Sequence, residues 1–235
     1  MNKPFAVISL LCLSLALASF SVAPANDPNI PVHGIRATTD YTSGSLLYNA
    51  LCLEEKGLSK KAFDLAYKGY QRLVKKNRIS NTGYLTICDM SQPSRNKRLY
   101  LIDLSNTEVL LHTWVAHGRN SGHDYATRFS NKLSSRQTSL GFYVTKNTYF
   151  GEHGLSLRMQ GLEPGFNDKA YRRAVVIHGA DYIGGEKNKT GRSYGCPAIP
   201  REEVGNLINT IKDGSCLFIY HPTRYYLAKS KILNG

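Results

Sequence analysis

Val175-Val176-Ile177-His178-Gly179, followed after a polar, Gly-rich loop by Gly191-Arg192-Ser193-Tyr194-Gly195-Cys196-Pro197, is the stretch on which the reading of this chain turns. Three consecutive β-branched residues make a buried strand, and that strand ends in a histidine and a glycine. The second segment is a turn around Gly195 that presents a thiol. Thiol catalysis needs a thiolate, a base to hold its proton, and donors for the developing oxyanion. Cys196 can supply the first, and His178 is placed to take the proton and return it to a leaving amine. Backbone N–H groups of the turn can converge on one point, and a glycine there lets a substrate carbonyl approach closely. The same residues also fit an inert buried thiol beside a hydrogen-bonded strand-end histidine. Residue chemistry alone leaves those two readings level.

Outward from this pair the pattern is rich in strands. Tyr84–Cys88, Arg98–Asp103, Glu108–Val115, Gly141–Thr145, Ala174–His178 and Cys216–Tyr220 read as strands, with Ser105-Asn106 as a hairpin turn. Arg201–Lys212 reads as an amphipathic helix on Val204, Leu207, Ile208 and Ile211. Gly118–Ser139 and Tyr149–Arg172 read as long loops, a length usually kept for function. Toward the N-terminus, Asn26 to about Asp40 reads as an extended lead-in. Leu46, Leu47, Ala50 and Leu51 then mark one helix, stopped at Gly57. Ser59 caps a second helix that buries Ala62, Phe63, Ala66, Tyr67, Tyr70 and Val74, with Gly69 as a weak point. The expected organisation is a segment 1–25, a lead-in and helical pair over 26–80, and an α+β, β-rich domain over 81–235.

The segment 1–25 has the layout of a secretory signal peptide. Lys3 is its positive end, Phe5–Leu17 its apolar run, and Ala23-Pro24-Ala25 its cleavage site. The run is short for a spanning helix, and no later stretch is apolar enough to cross a bilayer. Its loss removes one positive charge, Lys3, taking the net charge from +13 to +12. Such a surface favours anionic partners, and in an exported protein those are wall polymers or headgroups rather than nucleic acid. The expected location is the periplasm or cell wall. Cys52, Cys88, Cys196 and Cys216 remain after cleavage, without a tight disulfide framework, and a Cys52–Cys88 bridge is the one pairing considered. Zinc-type spacing is absent, and no metal or cofactor is expected.

Taken together, Ile177-His178-Gly179 and Ser193-Tyr194-Gly195-Cys196 resemble the signature of the YkuD-like L,D-transpeptidase catalytic domain, a family of cell-wall enzymes. The wider context resembles the murein L,D-transpeptidase catalytic domain family. It is carried by Arg98–Asp103, His117-Gly118-Arg119-Asn120-Ser121-Gly122, Thr138–Tyr143 and Cys216–Tyr220. The resemblance implies a β-rich α+β fold with Cys196 as nucleophile and His178 as base. It further implies that the Gly179 carbonyl orients the imidazole, and that the N–H groups of Tyr194, Gly195 and Cys196 form the oxyanion hole. Ser193 would hold the turn or help position substrate. Two departures stand out. Tyr194 replaces the histidine found in many relatives, and Pro197-Ala198 replaces a lead into an arginine, a role for which Arg192 is a candidate.

By that resemblance the expected activity is a peptidoglycan L,D-transpeptidase. It forms 3–3 crosslinks between stem peptides through a Cys196 thioester and is open to carbapenem-type inhibitors. An L,D-carboxypeptidase or hydrolase of wall-linked peptides would use the same chemistry with water as acceptor. A non-catalytic wall-binding domain is the reading outside enzymology. His153, in Tyr149-Phe150-Gly151-Glu152-His153-Gly154, and Tyr149 are candidates to flank the substrate groove.

Overall fold

The computed structural model describes residues 35–184 and 189–235. The segment 1–25, expected as a signal peptide, and the start of the lead-in lie outside the described residues. Helix α1 spans Ile35–Ala50 and α2 spans Lys60–Lys75. Strands β1 (Asn81–Asp89), β2 (Leu99–Asp103), β3 (Glu108–Thr113), β4 (Gly141–Gly151), β5 (Gly154–Gly161) and β6 (Val176–Ala180) follow. A two-residue pair, β7 (Ile183–Gly184) and β8 (Lys189–Thr190), precedes β9 (Ala198–Pro200). Helix α3 (Arg201–Ile211), strand β10 (Ser215–Tyr220) and the short helices α4 (Arg224–Lys229) and α5 (Lys231–Asn234) complete the chain. This is the α+β, sheet-rich architecture expected from the sequence.

Eight strands form one sheet in the order β3-β2-β1-β10-β4-β5-β6-β9. Two pairs are parallel, β1 with β10 and β6 with β9, and the others antiparallel. β2, β6 and β10 are buried at every position, so both faces of the sheet are covered there, and their sequences run apolar without alternation. At the centre, Phe142 of β4 stacks on Phe218 of β10 with ring centroids 4.1 Å apart. The pair contributes about 0.5–1.5 kcal/mol beyond the area it buries.

The N-terminal helices hold two differences from expectation. α1 begins at Ile35, so residues 35–40 are helical rather than extended. That stretch lacks proline and glycine, and its threonines cost only tenths of a kcal/mol each, roughly 0.7 at most, so the turn propagates backwards from the apolar face. In α2 the Ser59 hydroxyl accepts from the Ala62 N–H at 3.2 Å, the expected cap. The buried face is Ala62, Phe63, Ala66, Gly69 and Leu73, with Tyr67, Tyr70 and Val74 half-buried at its margins. Gly69 is therefore a contact rather than a defect. A methyl there would lie 2.0 Å from the Phe142 ring, which the Phe218 stack holds in place. Gly69→Ala is expected to destabilise the protein by about 1–3 kcal/mol from overpacking, although alanine is the better helix former. A higher urea midpoint for the variant would refute this packing.

A further difference is β5. The region 149–172 is not one loop, because β4 runs on to Gly151 and turns back through Glu152-His153 into β5. Gly154, at φ +76°, makes that two-residue turn possible. The hairpin projects outward, with Phe150 84% exposed, so it lacks the buried alternation that marks a strand. The Gly-x-x-Gly spacing of Gly151 and Gly154 was its visible signal. The 118–139 region is irregular, its β pairing confined to the isolated bridges Gly118–Ser193 and Gly122–Ala126.

Candidate active site

β6 carries His178, and its parallel neighbour β9 begins two residues after Cys196. His178 pairs with Ala198 in that register. The register thus brings the bend that holds Cys196, at the start of β9, beside the strand that holds His178.

His178 is 2% exposed. Its Nδ1 lies 3.0 Å from the Gly179 carbonyl oxygen. A carbonyl only accepts, so Nδ1 carries the proton and Nε2 is left with a lone pair. Gly179 has no room for a side chain, because a methyl would meet Val204 Cγ1 at 2.9 Å and Arg201 Cα at 3.1 Å in α3. Burial lowers the imidazole pKa, the Gly179 carbonyl raises it in part, and the nearby His153 and Arg201 lower it further. His153, at the tip of the β4–β5 hairpin, stacks on His178 with ring centroids 4.1 Å apart.

The turn that carries Cys196 is closed by Ser193. Its hydroxyl donates to the Cys196 carbonyl at 2.5 Å and accepts from the Gly195 N–H at 3.0 Å. That second bond occupies one of the three expected oxyanion donors and leaves the N–H groups of Tyr194 and Cys196 for the role. Gly195 sits at φ +123°, a backbone region open to glycine alone, and a methyl there would lie 3.0 Å from the Gln137 carbonyl. The thiol faces the Ala174 carbonyl, with Sγ to oxygen 3.8 Å. Burial raises the thiol pKa, while a Val176 backbone hydrogen bond and the Arg173 charge pull it back. Thiol and imidazole therefore both favour their neutral forms at rest, without a hydrogen bond between them.

A second strip of chain pins the turn. Ala116 N–H donates to the Ala198 carbonyl at 2.8 Å, Ser193 N–H to the His117 carbonyl at 3.0 Å, and Arg119 N–H to the Ser193 carbonyl at 2.7 Å. The strip is itself held from below by Arg98, which is fully buried. Its guanidinium donates to the Val115 carbonyl at 3.1 and 2.9 Å, to the Gln92 carbonyl at 2.7 Å and to His117 Nδ1 at 2.9 Å. Burial and the Arg98 charge push His117 down to about 4, so at neutral pH it is uncharged and can accept that bond. In the sequence Arg98 and His117 stand only within segments that carry the family resemblance, with no role in the site assigned to either. An arginine opening an otherwise apolar strand was the available hint.

The remaining candidates fall elsewhere. Arg192 is exposed and contacts His123 Nδ1 at 2.9 Å. The cation beside the thiol is Arg173. Tyr194 is 67% exposed, with Arg119 and Arg136 over its ring at 5.7 and 4.8 Å. Tyr149 is covered by Arg158 at 4.1 Å. Beyond His178 a cavity of about 540 Å³ is lined by His153, Gly179, Ala180, Asp181, Tyr182 and Arg201. All four cysteines among the described residues are free, Cys52 exposed and Cys88 buried, so the considered bridge is not formed. No group of three or more metal-ligating side chains occurs among the described residues. No helix among them is long and apolar enough to cross a membrane.

Comparison with solved structures finds an L,D-transpeptidase from Mycobacterium smegmatis at 12% identity, covering 59% of this chain and 59% of that one, with a TM-score of 0.39. L,D-transpeptidase 3 from Mycobacterium tuberculosis matches at 11% identity over 59% and 61%, with a TM-score of 0.40. The L,D-transpeptidase LdtMt1 in complex with imipenem matches at 13% identity over 59% and 59%, with a TM-score of 0.37. The chain thus spans less than two thirds of the length of these proteins. No curated protein matches. The L,D-transpeptidase catalytic domain family matches residues 54–220, from just before α2 to the last residue of β10. Over that span, which takes in the whole eight-stranded sheet and the turn at Cys196, the chain belongs to the L,D-transpeptidase catalytic domain family.

Proposed function

We propose that the protein is an exported peptidoglycan L,D-transpeptidase that forms 3–3 crosslinks through a Cys196 thioester in the periplasm or cell wall. The observation that carries this reading is the His178 Nδ1–Gly179 carbonyl bond, which leaves Nε2 as a base one strand away from the thiol. The Cys196 proton passes to Nε2, and the sulfur attacks the carbonyl of the third stem residue. The Tyr194 and Cys196 N–H groups receive the negative charge that develops on that carbonyl oxygen. Collapse of the tetrahedral intermediate breaks the amide to the terminal D-alanine, whose nitrogen takes the proton from His178. An amine of a second stem then attacks the thioester, gives its proton to His178 and releases the thiol. A backbone carbonyl does the orienting work that a carboxylate does in a Ser-His-Asp triad. It adds no full charge, and burial pushes the thiol up and the imidazole down, so both lean toward their neutral forms at rest.

A carbapenem presents the same electrophile, a strained acyl carbon. Incubation of the protein with meropenem is expected to add one inhibitor mass to the Cys196 peptide, read by mass spectrometry. An adduct confined to other residues, or equal labelling of Cys196→Ala, would remove the assignment. With disaccharide-tetrapeptide, a crosslinked dimer is the expected product. Tripeptide alone would make the enzyme a carboxypeptidase, and no turnover would leave a wall-binding domain.

A further inference from the structure

The turn that leads into β6 does two things at once. Arg173 N–H donates to the Lys169 carbonyl at 2.9 Å, Ala174 N–H to the Tyr171 carbonyl at 3.0 Å and Val175 N–H to the Ala170 carbonyl at 3.0 Å. These bonds hold Ala174 at φ +53°, in a left-handed conformation that is uncommon for a residue with a side chain. Its carbonyl thereby faces Cys196 Sγ. The Arg173 side chain, half-buried, runs into the loop 130–139. It donates to the Ser130 carbonyl at 3.0 Å, the Gln137 carbonyl at 2.9 Å, Ser135 Oγ at 3.1 Å and Ser139 Oγ. Every one of these partners is an uncharged oxygen, so no carboxylate cancels the positive charge there. The Nη2 that binds Gln137 also abuts the nucleophile turn, since a methyl on Gly195 would lie 3.5 Å from it.

We propose that Arg173 is a positioning residue of the reaction: it clamps the 130–139 loop against the Cys196 turn and places the positive charge that stabilises the thiolate. The proposal rests on the reading of Cys196 as the nucleophile. Thiolate formation creates charge in a partly desolvated place, where a fixed cation counts for more than in water. The sequence lacks an arginine just after the cysteine, and Arg173 brings one to the same turn from the connection between β5 and β6. Lysine cannot replace it fully, because four oxygens on one loop need the planar fork of a guanidinium.

The test is the pH dependence of Cys196 alkylation by iodoacetamide, followed at the Cys196 peptide in the folded chain. Arg173→Gln is expected to raise the titration midpoint by about 1 unit or more, the effect of removing a nearby opposite charge. Labelling at neutral pH then slows about tenfold, since only the thiolate reacts. Arg173→Lys is expected to keep most of the wild-type midpoint. Ser139→Ala, which cuts one loop contact and keeps the charge, is expected to leave it in place. An unchanged midpoint in Arg173→Gln would overturn the proposal, as would an equal rise in Ser139→Ala. If the glutamine variant does not fold, Arg173→Met fills the same space without charge and is read the same way. Failure of the wild-type protein to form the carbapenem adduct, with the midpoint shift intact, would overturn the enzymatic reading and leave the charge effect standing.

Discussion

Replacing His178 with alanine is expected to slow Cys196 acylation by about 100- to 10,000-fold, the usual contribution of a positioned acid–base group, and Cys196→Ala to abolish it. His178 is singled out by its tautomer. The Gly179 carbonyl accepts a hydrogen bond from Nδ1–H, so Nε2 can only accept, which is what attack by a neutral thiol requires. Burial raises the thiol pKa and lowers that of the imidazole, so no preformed ion pair compensates when the base is lost. The sign of the pH dependence follows. His178 must be unprotonated to act, so the acid limb of acylation lies below the ordinary imidazole range. Residual activity of His178→Ala should climb with pH as the thiol ionises unaided, and added imidazole should restore part of it. A time course of carbapenem acylation by mass spectrometry reads both effects. A variant within threefold of the wild type, with the same pH profile, would exclude His178 as the base.

Arg98→Ala is expected to cost about 3–5 kcal/mol of stability. The side chain is fully buried, and its removal orphans the Val115 carbonyl, the Gln92 carbonyl and His117 Nδ1. Each buried acceptor left without a partner costs about 1–3 kcal/mol. A domain of this kind has only about 5–15 kcal/mol in total, so the urea midpoint should fall by a large fraction. The loss should also reach the chemistry. Val115 and His117 belong to the strip whose hydrogen bonds hold Ser193 and Ala198 on either side of Cys196. Acylation measured well below the unfolding transition should therefore slow even in molecules that remain folded. A stable variant with normal acylation would show that the strip is held by its other contacts alone.

Arg98 and the β4–β5 hairpin mark where sequence reasoning stopped. A strand that packs on both sides spells itself in consecutive apolar residues, and β2, β6 and β10 were readable for that reason. The Ser59 cap was readable because its partner is three residues away. The hairpin was not, because its strands lie partly in solvent and carry polar residues. Arg192 was a reasonable stand-in for a missing arginine by proximity in sequence. Distance along the chain says nothing about where a long, exposed side chain points, and this one points to His123.

By itself the sequence determined the pair of segments to which the proposed chemistry is assigned, Ile177-His178-Gly179 and Ser193-Tyr194-Gly195-Cys196, and with them the family. Both are local: a strand end and a glycine turn need only neighbouring residues to take shape. Tertiary structure alone decided what surrounds the thiol. The parallel β6–β9 register, the strip 115–119 resting on Arg98, and Arg173 reaching back across the loop 130–139 are contacts between residues far apart in the chain. They arise when the sheet closes and buried polar groups must find partners, a condition that no short stretch of sequence records.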